Sequence, residues 1–270
     1  MTSQNLQQLL DSECFLLDMD GTVYLGKSLL PGASALMVYL AEHKIPYYFL
    51  TNNSSRSKSD YVEKLTDFGL PVSQEQVFTS GQATAIYLNQ KKPGADIYLV
   101  GTPALEKEFL QHGFNLVEKD PDFVVLGFDT TLTYDKIWKL CDFVREGYPY
   151  IATHPDINCP TEVGFMPDIG SMMAMVEAST GRKADVIVGK PHPPIISAIM
   201  DQTGYKPQEI VMVGDRLYTD IALGETGITT VLVLSGETKA QDLERASTKP
   251  NLVVDNLQEL HHLFLEHIAE

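Results

Sequence analysis

The sequence predicts an α/β fold built around a doubly wound parallel sheet. Short apolar segments typical of buried strands alternate with amphipathic segments of helical period along the whole chain. Several of the apolar segments end abruptly in polar residues or glycine-containing turns, as strands do at the ligand-binding edge of such sheets. With 270 residues, of which 44% are hydrophobic, the chain is long enough for one large or two modest domains.

The first third of the chain contains three strand–helix units after a short amphipathic helix at about 5–12. The predicted strands cover 15–17, 45–50 and 77–79, and the predicted helices cover about 33–43, 58–68 and 82–91. The first of these helices has one apolar face, formed by Ala33, Leu36, Met37 and Leu40. Gly69 ends the second helix, and Pro93-Gly94 follows the third and marks a predicted domain boundary.

A second strand–helix series begins after that boundary. Its strands cover 96–100, 123–126 and 150–153, and its helices cover 105–112, 134–145 and about 170–180, with a long loop before the last helix. The final third returns to the first pattern. Its strands cover 186–188, 210–213, 229–234 and 252–254, and its helices cover about 193–203, 219–225 and 256–268.

Charge and cysteine content limit the cellular setting and the partners. The net charge of −16 argues against a nucleic-acid or anionic-membrane surface, since both need clustered Lys and Arg. Cys14, Cys141 and Cys159 show no CxxC spacing, which fits a reduced, cytoplasmic setting. The first residues, 1–5, lack the basic and apolar segments of a secretory signal, and no run approaches the roughly 18 apolar residues of a membrane span. We therefore expect a soluble, intracellular protein.

An acidic pair follows the first strand. Asp18 and Asp20 are spaced i, i+2 and precede Gly21, which allows a sharp turn. Strand alternation puts both carboxylates on one side, just past the strand's end, where ligands bind in open α/β sheets. The alternative without function is a strand end with an ordinary Asp-Gly turn.

Three more strands end in groups that suit one chemistry. Thr51-Asn52-Asn53 follows the second strand, Lys190 follows the strand at 186–188, and Asp215 follows the strand at 210–213. Because the carboxyl ends of parallel strands share an edge, we expect these groups to converge. Converging carboxylates favour Mg²⁺, while a lysine with hydroxyl and amide groups binds anions. The pattern predicts a phosphoryl-transfer site, in which one aspartate attacks phosphorus and a second moves the proton.

These motifs resemble those of the haloacid dehalogenase-like (HAD) phosphatases. The four matching motifs, in order, are Asp18-Met19-Asp20-Gly21-Thr22, Thr51-Asn52-Asn53, Val188-Gly189-Lys190-Pro191 and Gly214-Asp215-Arg216-Leu217-Tyr218-Thr219-Asp220. Thr79-Ser80-Gly81-Gln82-Ala83-Thr84 and Ala152-Thr153-His154-Pro155-Asp156 are similar to segments of the NagD/para-nitrophenyl-phosphatase type. The resemblance covers nearly the whole chain. It implies a Rossmann-like parallel-sheet core, made of residues 1–92 and 179–270, with an inserted α/β cap at 93–178.

The resemblance also implies roles for the acidic residues. Asp18 would be the nucleophile and Asp20 the general acid/base. The Asp20 backbone carbonyl would ligate Mg²⁺ beside the Asp18 and Asp215 carboxylates. Asp220 would stand behind these ligands and orient metal-bound water or Lys190. The alternative for Asp220 is a pair with Arg216 across one helical turn.

The phosphate-binding groups implied by the resemblance are Thr51, Asn52, Asn53 and Lys190. Lys190 would also offset the charge of Asp18. Thr51 and Asn52 have an alternative use as helix-capping residues, since Thr and Asn often cap helices.

The cap loop supplies two candidate specificity residues. Relatives carry Asn-Pro-Asp where this chain has His154-Pro155-Asp156, so His154 departs from the commoner residue. Substrate contact by Asp156 and His154 is one hypothesis. A loop stabilised by Asx-type turns is the other.

The sequence as a whole indicates a Mg²⁺-dependent phosphomonoesterase acting on a small phosphorylated metabolite. A phosphomutase or phosphotransferase with the same aspartyl-phosphate chemistry is an alternative, and a catalytically silent binding module of the same fold is another. The substrate is left open between nucleoside monophosphates, sugar phosphates, phosphoglycolate and pyridoxal phosphate. A homodimer through the cap is possible because such dimers occur among the proteins that this chain resembles.

Overall fold

Strands and helices alternate along the chain, as the sequence predicts. The computed structural model describes residues 3–70, 72–161 and 164–268. These residues divide into two compact units. The first comprises the described parts of 1–50, 61–78 and 199–270, and the second those of 51–60 and 79–198. Residues 93–178 therefore fall in the second unit.

The bounds of the regular elements are close to those predicted. The strands are β1 (Cys14–Leu17), β2 (Tyr24–Leu25), β3 (Ser28–Leu29), β4 (Tyr47–Thr51), β5 (Val77–Thr79), β6 (Asp96–Val100), β7 (Asn115–Leu116), β8 (Phe123–Leu126), β9 (Tyr150–Ala152), β10 (Asn158–Thr161), β11 (Gly164–Pro167), β12 (Val186–Ile187), β13 (Ile210–Gly214), β14 (Thr229–Val233) and β15 (Leu252–Val254). The α-helices are α1 (Ser3–Leu10), α2 (Ala33–Glu42), α3 (Lys58–Asp67), α4 (Ser80–Lys91), α5 (Pro103–Gln111), α6 (Tyr134–Glu146), α7 (Ile169–Thr180), α8 (Pro193–Thr203) and α9 (Leu257–Ile268).

The larger sheet of the described residues has six strands in the order β15-β14-β13-β1-β4-β5. The central strand, β1, pairs in parallel with β13 on one side and β4 on the other, so that Leu17 stands opposite both Val213 and Phe49. Every residue of β1 is buried, as expected of a central strand covered on both faces. This register places the residues after Leu17 and after Val213 side by side.

In the core of the first unit, helices α2 and α9 pack with this sheet. Leu36 and Leu40 of α2 are fully buried, as is Leu260 of α9. Phe264 of α9 meets Phe15 of β1 edge to face, with ring centroids 5.7 Å apart. The apolar face predicted for the helix at 33–43 is therefore the face of α2 that packs into the core.

The second unit contains a five-stranded sheet in the order β12-β9-β8-β6-β7. The sequence pattern predicts that the strand before Lys190 belongs to the same series as those before Asp18 and Asp215. Instead, β12 pairs in parallel with β9, with Val186 opposite Ile151. The reason is that a very short apolar run specifies a strand but not its partner, because the pairing is made with residues distant in sequence.

The structure differs from the predicted elements in four further places. The short strand β7, which pairs in parallel with β6, lies where no element is predicted. The predicted loop after residue 153 contains the antiparallel pair β10–β11. The predicted loop after Thr22 contains the short pair β2–β3. The predicted helix at 219–225 is a 3₁₀-helix over Ile221–Thr226, a short run that contains Gly224 and ends at Gly227. The α/β class with parallel sheets is confirmed.

None of the helices over 3–70, 72–161 and 164–268 combines the length and the apolar content that crossing a membrane would require. Cys14 and Cys141 are buried thiols, and burial raises the pKa of Cys14 to about 12.

Candidate active site

Asp18 lies at the carboxyl end of β1. Its side chain is buried, and its N–H donates a hydrogen bond of 2.9 Å to the carbonyl oxygen of Val213 on the neighbouring strand. This bond continues the pairing of β1 with β13 past the end of β1. The sheet therefore fixes the backbone from which the Asp18 carboxylate projects.

Asp215 follows Gly214, the last residue of β13, and is 2% exposed. Its Oδ2 accepts a hydrogen bond of 2.6 Å from the Glu237 N–H. Its Oδ1 is buried and has no hydrogen-bond partner among the described residues. A buried carboxylate oxygen without a donor is costly, so Oδ1 is suited to ligating a cation.

Two glycines let the backbone approach Asp215 closely. A Cβ on Gly21 would lie 2.4 Å from Asp215 Oδ2, and a Cβ on Gly236 would lie 1.9 Å from the same atom. Ser235 Oγ donates to the Gly21 carbonyl oxygen at 2.8 Å, which ties the two glycine-containing loops together. A side chain at either glycine would displace the Asp215 carboxylate.

Asp220 completes a group of three buried acids in the first unit. Carboxylate oxygens of Asp18, Asp215 and Asp220 lie within 4.8 Å of one another. Burial, followed by the charge of Asp220, raises the pKa of Asp215 to about 7. A divalent cation among the three acids would favour their ionised forms, and the all-oxygen donor set fits a hard cation such as Mg²⁺.

The main chain of Arg216 contacts the Asp220 carboxylate. Its Oδ2 accepts from the Arg216 N–H at 3.1 Å, whereas the Arg216 guanidinium Nε lies 3.0 Å from Glu237 Oε2. Gly214 makes room for Asp220, because a Cβ there would lie 2.3 Å from the Asp220 Cγ. The Arg216 N–H thus closes a loop on the Asp220 carboxylate.

Asp20 has a more open setting than Asp18. It is only partly buried, and its Oδ2 accepts a hydrogen bond of 3.1 Å from the Tyr24 hydroxyl. The Gly21 N–H donates to the Tyr24 carbonyl oxygen at 2.8 Å, so the turn places this phenol against the acid. Burial, followed by the charge of Asp20, raises the pKa of Tyr24, which keeps the phenol protonated as a donor.

Thr51 and Asn53 form a tight polar turn in the second unit. The Asn53 N–H donates to Thr51 Oγ1 at 3.1 Å. Asn53 Oδ1 accepts from the Ser55 N–H at 2.8 Å and from Ser55 Oγ at 2.7 Å. The side-chain oxygen of Asn53 is therefore used in an Asx-type turn.

Asn52 and Lys190 are joined through the main chain of Lys190. Asn52 Nδ2 donates to the Lys190 carbonyl oxygen at 3.0 Å, and the Lys190 N–H donates to Asn52 Oδ1 at 2.8 Å. Asn52 Nδ2 also donates to Asp156 Oδ1 at 2.9 Å. Lys190 is 2% exposed, so these contacts are buried.

His154 lies between two buried acids of the second unit. Its Nδ1 accepts from the Asp156 N–H at 3.3 Å, which places the proton on Nε2, 3.5 Å from Asp168 Oδ1. Ligand atoms of the three residues lie within 4.8 Å of one another. The three residues therefore form a second buried polar group, in the second unit.

Each unit of the structure gathers several of the sequence-predicted residues. In the first unit it brings together Asp18, Asp215 and Asp220, with Asp20 beside Tyr24. In the second unit it brings together Asn52, Lys190, Asp156 and His154, with Thr51 beside Asn53.

Sequence reasoning missed Tyr24, Glu237 and Asp168. The frequent use of Asp as a helix N-cap is the signal that could have pointed to Asp168. Its side chain caps α7 and accepts a hydrogen bond of 2.7 Å from the Ile169 N–H. Glu237 contacts Asp215 through its main chain, so its residue type carried no signal.

Comparison with known proteins gives consistent matches along the chain. The family model described as haloacid dehalogenase-like hydrolase matches residues 15–115, and a second, HAD-hydrolase-like, matches residues 187–260. The 5'-nucleotidase YutF of Bacillus subtilis is 37% identical over 246 residues, covering 91% of this chain and 96% of that protein.

Solved structures agree with this chain over most of its length. The 4-nitrophenylphosphatase of Thermotoga maritima has 50% identity and a TM-score of 0.91, covering 96% of this chain and 98% of that one. A glycerol phosphate phosphatase from Mycobacterium tuberculosis, in complex with calcium, has 32% identity and a TM-score of 0.86. The match covers 94% of this chain and 76% of that one. The similarity therefore extends across both units.

Proposed function

Because the chain belongs to the haloacid dehalogenase-like hydrolase family and is a phosphatase of that family, we propose that it is a Mg²⁺-dependent phosphomonoesterase that works through an aspartyl-phosphate. The observation that carries this proposal is the buried group of Asp18, Asp215 and Asp220, with the more open Asp20 held by Tyr24. A nucleophile and a proton-transferring acid need these different environments.

Asp18 is the nucleophile in this mechanism. Its carboxylate oxygen attacks phosphorus and the bond from phosphorus to the ester oxygen breaks, leaving an aspartyl-phosphate. Asp20 gives its proton to the departing oxygen. Asp20 then takes a proton from water, which attacks phosphorus and releases inorganic phosphate and the Asp18 carboxylate.

The metal ligands in this proposal are the carboxylates of Asp18 and Asp215 and the backbone carbonyl of Asp20, with Asp220 close behind them. When bound, the divalent cation would neutralise charge on the phosphoryl oxygens. The calcium in the Mycobacterium tuberculosis relative supports a divalent cation. Mg²⁺ is proposed on the oxygen donor set.

The phosphoryl group is held by Thr51, Asn52, Asn53 and Lys190 in this proposal. The Thr51 hydroxyl and the Lys190 ammonium supply donors for its oxygens. Lys190 also offsets negative charge contributed by Asp18.

The proposed substrate is a small phosphorylated metabolite. Names of relatives include a 5'-nucleotidase and a 4-nitrophenylphosphatase, which support a phosphomonoester without fixing its leaving group. In the proposed division, residues 1–92 and 179–270 form the catalytic core, and 93–178 form a cap in which His154 and Asp156 are candidate specificity residues. A cytoplasmic location and a homodimer through the cap belong to the same proposal.

Hydrolysis of para-nitrophenyl phosphate by an Asp18→Asn variant tests the proposal. We expect turnover to fall by at least about 10³-fold, because the amide cannot attack phosphorus. The melting temperature and circular dichroism report whether the fold survives. Unchanged turnover in a folded variant would refute the mechanism.

A further inference from the structure

We propose that Asn52 acts as a positioning residue, whose side chain holds the main chain of Lys190, and that Asp156 acts through Asn52. The inference deepens the proposed function and rests on it, since it concerns the phosphate-binding role given to Lys190. It revises the proposal above in one respect, because it assigns the Asn52 side-chain amide to Lys190 and Asp156 rather than to the phosphoryl group.

The hydrogen bonds of the Asn52 amide carry this inference. The group has two N–H donors, and these go to Asp156 Oδ1 at 2.9 Å and the Lys190 carbonyl oxygen at 3.0 Å. Its oxygen accepts from the Lys190 N–H at 2.8 Å. The capacity that remains is a lone pair on that oxygen, which repels a phosphoryl oxygen. As placed, the amide has no donor left for an anion.

The two bonds to Lys190 fix its backbone. The donor and the acceptor of one residue are both bound to one planar amide, as in a paired position of a β-ladder. Both residues are buried, where such hydrogen bonds are strong and costly to break. The Lys190 side chain therefore starts from a fixed point.

The surroundings of Lys190 are shaped for this contact. A Cβ on Gly189 would lie 2.6 Å from Asn52 Oδ1 and 2.6 Å from the His154 Cβ, so the approach requires glycine. Ser80 Oγ donates to the Asn52 carbonyl oxygen, which anchors the main chain of Asn52 as well.

Asp156 orients the amide from the other side. Its Oδ1 is a charged acceptor for the second Asn52 N–H, and charge-assisted bonds of this kind are stronger than neutral ones. The Asp156 N–H is bonded in turn to His154 Nδ1. Loss of Asp156 would leave one N–H of the Asn52 amide without its acceptor. The amide would then be oriented less well for its two hydrogen bonds to the Lys190 main chain.

A double-mutant cycle between Asn52 and Lys190 tests the inference. We compare Asn52→Ala, Lys190→Met and the double variant by kcat/KM for para-nitrophenyl phosphate, with inorganic phosphate as a competitive inhibitor. A misplaced charged group costs about 10²-fold, so Asn52→Ala should lower kcat/KM by about 10- to 100-fold and raise the phosphate inhibition constant. In the Lys190→Met background the same change should cost less than about 3-fold. An equal loss in both backgrounds would overturn the inference.

A second cycle, between Asn52 and Asp156, serves if turnover by Lys190→Met lies below the assay background. Asp156→Ala should reduce kcat/KM in the wild type and add little to Asn52→Ala. Additive losses would mean that Asp156 acts independently of Asn52, which contradicts the inference. Asn89→Ala is the matched control, because the Asn89 amide also donates to a main-chain oxygen of the second unit, that of His112 at 3.1 Å.

The Asp18→Asn variant distinguishes a failure of the proposed function from a failure of the positioning role of Asn52. If it stays active, the proposed function fails whatever the cycles show. If it is inactive and Asn52→Ala costs the same with and without Lys190, only the positioning role is wrong. Melting temperatures are recorded for every variant, since a purely structural defect would lower kcat equally in both backgrounds and leave the phosphate inhibition constant unchanged.

Discussion

The Tyr24 hydroxyl donates a hydrogen bond of 3.1 Å to Asp20 Oδ2. The phenol is buried, while the acid that it contacts is only partly buried. Tyr24 therefore orients the carboxyl group to which we assign the proton transfers, and it leaves the other oxygen, Oδ1, for the reaction.

Replacing Tyr24 by Phe removes this donor and preserves the packing of the ring. We expect kcat to fall by about 10-fold, the size of one lost hydrogen bond to a charged group. The loss should be larger for alkyl phosphates than for para-nitrophenyl phosphate, because poor leaving groups depend more on protonation. Tyr98→Phe is the control, since the Tyr98 hydroxyl bonds the Lys136 carbonyl oxygen at 3.1 Å in the other unit. Equal losses for both esters would contradict the orienting role.

Asp20→Asn separates proton transfer from binding. The amide transfers no proton, so kcat should fall by about 10²- to 10⁴-fold. Binding of Mg²⁺ and of inorganic phosphate, measured by calorimetry, should persist, because the proposed metal contact of Asp20 is its backbone carbonyl. Loss of both binding events in a folded variant would count against this assignment.

Gly236→Ala places a methyl group where the Asp215 carboxylate now lies. The contact of 1.9 Å to Oδ2 forces the acid to move. Activity should fall by about 10²-fold, the cost of misplacing a group in the site by about 1 Å, and more Mg²⁺ should be needed to reach it. Gly224→Ala is the control in the same unit, because the nearest atom to its Cβ would be 3.4 Å away. Normal Mg²⁺ dependence of Gly236→Ala would show that Asp215 has no part in metal binding.

Glu108→Gln should change the pH dependence of stability. Glu108 lies on α5 and is 8% exposed, and burial raises its pKa from 4.5 to about 7. Between these two values the folded chain keeps a proton that the unfolded chain has lost, so the stability contributed by this group falls as the pH rises to about 7 and is constant above. The glutamine side chain does not ionise, so the free energy of unfolding of the variant at pH 8 should exceed that of the wild type by about 1–3 kcal/mol. Urea unfolding at pH 5 and pH 8 measures the free energy of unfolding of both proteins. The same difference between variant and wild type at the two pH values would refute the prediction.

The sequence predicted the positions of the acidic residues well for a local reason. Asp18 and Asp215 each follow a buried apolar run, and such a run with an abrupt polar end identifies both the strand and the edge of the sheet at which the acid lies. The strands β1 and β13 prove to be neighbours, which brings the two acids side by side.

The partners of Lys190 could not be predicted in the same way. Its strand β12 has two residues, and its pairing with β9 depends on contacts remote in sequence. The hydrogen bonds of Asn52 to the Lys190 backbone are equally remote. A motif match gives Asn52 a place in the site, but only three-dimensional contacts show that its amide is already occupied.

The 138 positions that separate Asn52 from Lys190 affect how the second unit assembles. Closing an unstructured loop of that length costs about 2 kcal/mol more than closing one of about ten residues. Folding of β9 removes much of this cost, because β12 pairs with it and the Gly189 N–H then bonds the Thr153 carbonyl oxygen at 2.8 Å. The five-stranded sheet thus brings the main chain of Lys190 to Asn52. Substitutions that weaken this sheet would lower activity without touching the substrate, and a chain that stops before β12 would lack the proposed phosphate-binding lysine altogether.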